Sequence, residues 1–447
     1  MKVTKKRLIA SAVIAALATP MVAQATNGYF LIGYGTKARG MAGAGVAYPQ
    51  DGLAAAYNPA GMIEVGERFD IGGDLFMPER AVYHNSAFMP ADVKSTGDYF
   101  PIPAMGGTWK INDEMAWGFA LIGAGMGTDY DQCRPGNTLF CVIPDAANQA
   151  GVRLMQMQIL PSIAYKLNEQ HTVGASLAIG VQTFRAEGLE GFGNIGYATF
   201  DAAAGEQAGD YFTGEGWDWS YGMGIRLGWL GKFMNGDLTL GANYSSKVYM
   251  SEFENYRNLF AEKGDFDIPP IISVGLAYKL TPEVNVVFDI QQVQYTKVAS
   301  VANPGPVPED PDQLFPTGYS FLGLDNGMGF GWEDQTVYKL GADYVYNEKI
   351  TLRGGWNYGK SPVQDDQILF NFLAPATVEH HLTLGASYQY SKEIEMSVSF
   401  MRAFKNTITG KTPFYPTGVN NYSELTQDNA AITMSQTAIG FGIGFKF

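Results

Sequence analysis

Cysteine and histidine are scarce in this chain, with two and four copies respectively in 447 residues. Metal centres and histidine-based catalysis need clusters of these side chains. His380 and His381 are adjacent in a strand-like segment, so they point to opposite faces and cannot share a metal ion. The segment 33–38 loosely matches a dinucleotide-binding pattern, but no βαβ unit surrounds it. The sequence therefore predicts no enzyme, no metal site and no cofactor.

The two cysteines, Cys133 and Cys141, lie in one loop that contains Gly and Pro, with the sequence CRPGNTLFC. Cysteines persist as disulfides in oxidising compartments. In an exported chain, this pair predicts one local disulfide that closes the loop.

Long apolar runs are also missing, because no stretch beyond the N-terminus approaches about 18 uninterrupted apolar residues, the length of a helical membrane span. The N-terminus has a basic segment, then the short apolar run 8–18, then the small-residue site AQA at 23–25. This order is typical of a secretory signal peptide. We predict that residues 1–25 are removed and that the mature, exported chain begins at Thr26.

Basic residues are outnumbered, with 30 Lys and Arg against 44 Asp and Glu. The signal peptide holds four of the basic residues and none of the acidic ones, so the mature chain has 26 against 44, a net charge of −18. This negative charge argues against nucleic acid as a partner. A content of 54 glycines, 13% aromatic and 17% charged residues instead favours a β-rich wall.

The last twelve residues, 436–447 (QTAIGFGIGFKF), show the clearest strand pattern. Large apolar residues alternate with small or polar ones as far as the terminal Phe447. This alternation is typical of a strand with lipid on one side and an occupied or aqueous interior on the other. It predicts a membrane β-barrel.

Alternating segments of this kind recur fourteen times along the chain, and each is long enough to cross an outer membrane at a tilt. Their connections alternate between short polar links and long ones, as periplasmic turns and external loops do in outer-membrane barrels. We predict an all-β fold, a 14-stranded antiparallel transmembrane β-barrel over residues 68–447, with both ends on the periplasmic side. The segments span approximately 68–76, 101–110, 115–127, 152–167, 171–186, 218–230, 238–253, 268–280, 284–298, 335–346, 350–359, 378–390, 394–407 and 433–447.

The same alternation predicts which side chains face the interior. A basic side chain on the lipid face near the midplane costs about 2–4 kcal/mol. Acidic residues share the interior side with basic ones, so the lumen is expected to have mixed charge. The interior basic residues are Arg226, Lys247, Lys339 and Arg353, and the acidic ones are Asp70, Asp74 and Asp343.

Residues 26–67 precede the first strand and lack its alternation. Their Ala and Gly runs suit short helices or turns that pack tightly against other backbone, and the interior of a fourteen-stranded barrel is too wide for its own side chains to fill. We predict that this segment is a partly helical hatch that plugs the lumen. Asn58-Pro59-Ala60 ends its last helical stretch, since proline restrains the residue before it.

The third strand segment, 115–127, begins as a membrane strand and then becomes GAGMG at 123–127. The alternating glycines Gly123, Gly125 and Gly127 remove side chains from one face. Two interpretations remain open at this point. The glycines allow close packing against the hatch, or they mark a kink that interrupts the ladder and opens the wall sideways.

The mature start TNGYF, the run GTKARGMAGAGVAYPQDGLAAAYNPAGM, the fourteen segments and the terminal Phe447 together resemble the FadL outer-membrane transporters of hydrophobic compounds. The resemblance covers the whole mature chain, and Asn58-Pro59-Ala60 matches the hatch motif of that family. It implies a monomeric barrel in which cargo is captured at external loops and passes through a hydrophobic pocket. It also implies exit into the membrane through a kinked third strand, which favours the sideways opening at 123–127.

The resemblance implies passive uptake of long-chain fatty acids or similar hydrophobic molecules across the outer membrane, with aromatic hydrocarbons or alkanes as alternative cargo. Each buried methylene contributes roughly 0.8 kcal/mol, so an acyl chain can be captured without a specific polar contact. A carboxylate head group would need an interior cation. The candidates, called here the head-group cations, are Arg226, Lys247, Lys339 and Arg353.

Functions of other classes fit the sequence less well. A barrel enzyme that acts on membrane lipid would need a Ser/His/acid set, which is not found, and an adhesin or structural barrel would need no hatch. The expected partners are the hydrophobic cargo, the lipid and lipopolysaccharide of the outer membrane, and the barrel-assembly machinery, which would bind the C-terminal strand.

Overall fold

The computed structural model describes residues 27–131, 138–140, 149–191, 205–207, 209–306, 321–419 and 424–447. Sixteen strands form one sheet, and two of them, Ala91–Lys94 and Tyr249–Met250, are short pieces outside the main wall. The other fourteen make the wall. They are β1 (Arg68–His84), β2 (Phe100–Lys110), β3 (Met115–Asp131), β4 (Gln149–Lys166), β5 (His171–Glu187), β6 (Asp218–Phe233), β7 (Leu238–Ser245), β8 (Ile271–Lys279), β9 (Val284–Val293), β10 (Gln335–Asn347), β11 (Ile350–Gly359), β12 (His380–Gln389), β13 (Ile394–Gly410) and β14 (Ala430–Lys446).

The wall is a closed antiparallel barrel, as the sequence predicts. Each strand pairs with its neighbours in sequence, and β14 pairs with β1 along the full length of β1. The short connections and both ends of the wall share one rim, where the backbone N–H of Phe447 donates to the carbonyl of Glu67 at 3.1 Å. The long connections share the other rim, so the predicted alternation of loop lengths is confirmed.

Side-chain facing along β6 also follows the prediction. Trp219, Tyr221 and Met223 are 54%, 59% and 65% exposed, whereas Ser220 and Arg226 are buried. The exposed apolar side chains suit contact with acyl chains, and the buried polar ones face the lumen.

Two strand ends differ most from the prediction, by eight residues each. β1 continues to His84, eight residues beyond the predicted end, because Pro78 and Glu79 interrupt its alternation without ending its pairing with β14. β7 ends at Ser245, and the register with β6 shifts by one residue before Tyr249 pairs. This bulge turns Val248 inward, where it is 2% exposed, whereas unbroken alternation along the predicted segment 238–253 would place it on the outward face with Tyr244.

The segment before β1 lies inside the barrel and is partly helical. It holds the one-turn helices α1 (Thr36–Arg39), α2 (Ala54–Tyr57) and α3 (Met62–Val65), with a 3₁₀ turn at Pro59–Gly61. The long connections contribute α4 (Ala261–Gly264), α5 (Ala299–Ala302) and α6 (Ile368–Asn371), and 3₁₀ turns lie at Met234–Gly236, Glu254–Tyr256 and Tyr295–Lys297. Within the described ranges, each helix is too short or too polar to cross a bilayer.

Candidate functional site

The hatch, residues 27–67, touches the inner wall mainly through backbone. A Cβ added to Gly385 of β12 would lie 2.9 Å from the Cα of Gly40, and one added to Gly106 of β2 would lie 2.3 Å from the carbonyl oxygen of Gly52. Side chains at these positions would push the hatch off the wall. The wall glycines in such contact are Gly106, Gly174, Gly228, Gly241, Gly341, Gly355, Gly385 and Gly442.

Buried charges add directional contacts between the hatch and the wall. Arg39 NH1 lies 2.8 Å from Asp74 Oδ1 of β1, and Lys37 Nζ lies 2.7 Å from Glu395 Oε2 of β13. Charge-assisted hydrogen bonds are stronger than neutral ones, and removing one partner of a buried pair is strongly destabilising. These pairs therefore fix the orientation of the hatch in the lumen.

The motif Asn58-Pro59-Ala60 is held by the side chain of Asn58, which follows the end of α2. Asn58 Nδ2 donates to the carbonyls of Val46 and Trp229 at 3.0 and 2.8 Å, and Asn58 Oδ1 accepts from the N–H of Ala60 at 3.1 Å. One asparagine therefore joins two parts of the hatch to β6.

Two glycines of the wall make room for this motif. Gly174 of β5 and Gly228 of β6 face each other in the sheet. A Cβ on Gly228 would lie 2.0 Å from Asn58 Oδ1, and a Cβ on Gly174 would lie 2.4 Å from the backbone nitrogen of Ala60. The motif therefore fits this pair of strands only because both positions lack side chains.

Two of the head-group cations, one on β6 and one on β10, contact the hatch backbone. Arg226 of β6 donates to the carbonyl of Ala56. Lys339 Nζ of β10 donates to the carbonyl of Ile32 at 3.0 Å. Both side chains line a cavity of about 30 Å³ between hatch and wall, which is room for about one water molecule.

The other two head-group cations have side-chain partners. Arg353 Nε of β11 donates to Gln50 Oε1 of the hatch at 2.9 Å. Lys247, beyond the end of β7, has its Nζ 3.0 Å from Asp267 Oδ2. Three of the four head-group cations thus bind the hatch, and Lys247 lies in the connection between β7 and β8.

The glycine segment 123–127 lies on the third strand, as predicted, and its middle residue leaves the regular ladder. Gly125 has a φ of +155°, and its N–H donates to the carbonyl of Tyr29 in the hatch at 3.1 Å. Pairing between β2 and β3 ends at Met105 and Leu121, whereas β3 pairs with β4 along its whole length. The strand therefore contacts the hatch at the level where its ladder to β2 is missing, and the sideways opening of the wall stays a prediction.

Two prolines inside the second predicted strand explain why the ladder stops. Above Met105, β2 continues as Phe100-Pro101-Ile102-Pro103-Ala104 and pairs only with β1. Proline has no N–H to donate, so within sheets it is found at unpaired edges and bulges. Pro101 and Pro103 inside a predicted strand were the signal for this edge.

An apolar cavity of about 40 Å³ lies among the long connections. Five phenylalanines line it, and Ser300 is the single polar side chain among its described lining residues. No charged side chain of the described ranges lines it. The phenylalanines are Phe184, Phe212, Phe260, Phe330 and Phe370.

Aromatic rings connect this cavity to the interrupted strand. The ring centroids of Phe260 and Phe266 are 4.9 Å apart, and those of Phe266 and Tyr29 are 6.1 Å apart. Tyr29 in turn accepts the backbone hydrogen bond from Gly125. Packed aromatic rings therefore extend from this cavity to Tyr29, the hatch residue that contacts β3 where β2 and β3 separate.

Comparison with known families identifies the chain. The model of the family described as "Outer membrane protein transport protein (OMPP1/FadL/TodX)" matches residues 15–447. The chain belongs to this family. Its members are transporters of hydrophobic compounds in the outer membrane, and the FadL resemblance found in the sequence is confirmed.

Solved structures share the fold of this FadL-family chain. The P. putida toluene transporter TodX is 19% identical, with 94% of this chain and 99% of that chain covered and a TM-score of 0.66. The Ralstonia pickettii toluene transporter TbuX is 19% identical, covering 93% and 99%, with a TM-score of 0.60. A Pseudomonas aeruginosa FadL homologue is 14% identical, covering 94% and 100%, with a TM-score of 0.65. Among curated proteins, none matches the chain in sequence.

Two expectations from the sequence concern residues outside the described ranges. The signal peptide, residues 1–25, is one of them. The disulfide between Cys133 and Cys141 is another, and both stay predictions.

Asp265, in the connection between β7 and β8, makes the stability of the external loops pH-dependent. Burial, together with the negative charge of nearby Asp267, raises the pKa of the Asp265 carboxyl to about 8. An unfolded aspartate titrates near pH 3.9. Between these values the folded loop binds a proton that the unfolded loop lacks, so loop stability falls as pH rises from about 4 to 8 and then levels off.

We expect proteolysis of the 251–270 connection in the detergent-solubilised barrel to become faster from pH 5 to pH 8, and to depend much less on pH in Asp265→Asn. Asp237→Asn, in an exposed turn on the opposite rim, is the matched control and should keep the wild-type pH profile. A profile that is flat in the wild-type protein would contradict the prediction.

Proposed function

We propose that this FadL-family barrel takes up small, uncharged hydrophobic molecules and releases them sideways between β2 and β3 into the outer membrane. The apolar cavity carries this proposal, because its described lining has five phenylalanines and no charge. Burying an ionised carboxylate without a partner is expensive. Aromatic hydrocarbons or alkanes, the alternative cargo named from the sequence, therefore suit this lining better than a fatty acid does, and the cavity of about 40 Å³ must widen to admit them.

Passive capture is sufficient for such cargo. Transfer of apolar surface from water is favourable by about 25 cal/mol per Å², and aromatic rings add offset or edge contacts. The toluene transporters TodX and TbuX have the same fold. A dry route past the polar sugars of the outer leaflet needs no energy source, since the cargo moves down its own gradient.

Long-chain fatty acids are the second candidate, and one observation favours them. The Lys247–Asp267 ion pair adjoins Phe266, whose ring centroid is 4.9 Å from that of Phe260 in the cavity. A cargo carboxylate could replace Asp267 as the partner of Lys247 while its acyl chain occupies the cavity. In this alternative, the carboxylate of the cargo would bind Lys247. Arg226, Lys339 and Arg353 are less suitable because their side chains bind the hatch.

Uptake of labelled toluene and labelled oleate separates the two candidates. Cells of a Gram-negative host without its own FadL-family protein are compared with and without this chain. We expect toluene uptake to rise more than oleate uptake. An oleate signal that is lost in Lys247→Gln, with toluene uptake kept, would identify the fatty-acid alternative.

A charge placed in the cavity tests whether cargo passes through it. Phe260→Glu should lower uptake strongly, because the buried carboxylate disfavours apolar cargo. Phe321→Glu, on a side chain that is 49% exposed, is the matched control and should transport as the wild-type protein does. No rise in uptake of either cargo over cells lacking the chain would refute the function itself.

The remaining expectations complete the proposal. We propose that residues 26–67 act as the hatch domain and 68–447 as the barrel domain of a monomer. The external rim would contact lipopolysaccharide, and β14 would bind the barrel-assembly machinery during insertion.

A further inference from the structure

The wall has a window between β2 and β3. Below it, the two strands pair as far as Met105 and Leu121. Above it, the segment before β2 contacts β3 where the N–H of Thr96 donates to the carbonyl of Asp129 at 2.8 Å. The strand between Leu121 and Asp129 has a contour length of roughly 25 Å at about 3.3 Å per residue.

The side chain of Arg80 crosses this window. Arg80 points inward from β1 and is 2% exposed. Its NH1 donates to the carbonyl of Gly127 in β3, and its NH2 donates to the carbonyl of Gly97 in the segment before β2. Its guanidinium carbon also lies 5.5 Å from the ring centroid of Phe100 at the start of β2.

These hydrogen bonds replace part of the missing ladder. A buried backbone carbonyl needs a donor, and Gly127 lies beyond the point where the ladder between β2 and β3 ends. The planar guanidinium can serve two carbonyls at once in a fixed fork geometry, which an ammonium group cannot do. Arg80 therefore holds both sides of the window at the height where the wall is otherwise open.

Arg80 also stands between the apolar cavity and the membrane. A second cavity of only about 10 Å³ lies at the inner side of the window, and Arg80, Met126, Gly127 and Trp332 line it. Leu373 lines both this small cavity and the large apolar one. Cargo that moves from the large cavity toward the window therefore meets the Arg80 side chain.

We propose that Arg80 is the gating residue of the lateral window. Cargo leaves when its guanidinium releases the carbonyls of Gly127 and Gly97, and the side chain closes the window again afterwards. The inference rests on the proposed lateral release. It assigns the control of that step to one residue of β1.

Substitution of Arg80 tests this role in the uptake assay. Arg80→Met keeps the length of the side chain and removes both donors, so we expect the initial uptake rate to rise about tenfold, the change in rate that corresponds to one strong hydrogen bond. Arg80→Lys keeps the charge but loses the fork, and should give a smaller rise. Arg185→Met, on the external rim of β5, is the matched control and should leave the rate unchanged.

The outcomes distinguish a failure of the gating role of Arg80 from a failure of the proposed uptake function. Heat-modifiable migration shows which variants fold, and Arg80→Lys carries the test if Arg80→Met does not fold. Folded variants with uptake at or below the wild-type rate would overturn the gating role, while a wild-type rate above that of cells lacking the chain would leave the proposed function standing. No wild-type uptake at all would refute the proposed function instead.

Discussion

Replacement of Gly125 by valine is expected to lower cargo uptake about tenfold or more while the barrel still folds. The φ of +155° at Gly125 is one that side chains rarely adopt, and a β-branched residue adopts it least readily. Such a conformation costs about 1–3 kcal/mol in a residue other than glycine. The backbone would rotate, and its N–H would leave the carbonyl of Tyr29. The contact between β3 and the hatch would then be lost at the level where β2 and β3 are unpaired.

A second glycine supplies the control for this substitution. Gly354 of β11 has a regular backbone, and a Cβ there would lie 3.8 Å from the carbonyl oxygen of Thr383, an ordinary contact. Gly354→Val should therefore fold and transport as the wild-type protein does. Toluene uptake is measured for both variants, with heat-modifiable migration as the test of folding. Wild-type uptake by folded Gly125→Val would falsify the lateral route.

The second large effect is expected from Asn58→Ala in the hatch motif. The substitution removes the donors to Val46 and Trp229 and the acceptor for Ala60, three buried hydrogen bonds. Leaving such carbonyls unpaired costs about 1–3 kcal/mol each. The hatch should detach from β6, so ion conductance in planar bilayers should rise and hydrogen exchange in 44–61 should become faster.

Asn112→Ala is the matched control for this effect. Asn112 Oδ1 also accepts from a backbone N–H two residues on, that of Glu114, but in an exposed turn. Its loss should not change the conductance. An Asn58→Ala protein that is as tightly closed as the wild-type protein would contradict the anchoring role.

A double-mutant cycle with Gly228 makes the test more specific. Gly228→Ala places a Cβ 2.0 Å from Asn58 Oδ1, so it should loosen the hatch by itself. With Asn58→Ala already present, that clash disappears and only the contact at 2.7 Å with Pro59 Cδ remains. The double variant should therefore be less damaged than the sum of the single variants, because contacting residues are not additive.

The barrel could be predicted from the sequence because a spanning strand is a local pattern. Alternation along β6 and β11 identifies their inner and outer faces without knowledge of any partner strand. The bulge at Ser246–Val248 could not be predicted in this way, since it depends on how the chain after β7 pairs with β6. The extension of β1 was hidden because Pro78 and Glu79 break the pattern that marks a strand.

The site depends on contacts between distant parts of the chain, so its binding partners and its cavity could not be predicted from local sequence patterns. Asn58 and Gly125 could be selected as unusual residues, but Trp229 and Tyr29, which bind them, have no local signal. Arg80 lies beyond the predicted end of the first strand at residue 76, so the sequence did not place it on the inner face of the wall. The cavity is formed by phenylalanines from five separate segments, so no single segment shows it.

The attachment of the hatch limits how it can move. Its backbone touches glycines on strands from β2 (Gly106) to β12 (Gly385), and its buried ion pairs reach β1 and β13. Extraction of the plug as a rigid body would break all these contacts together, a penalty that binding one small apolar molecule cannot supply. We therefore expect the hatch itself to undergo only a local rearrangement around Tyr29 when cargo passes, while the rest of the plug stays in place and maintains the permeability barrier to ions.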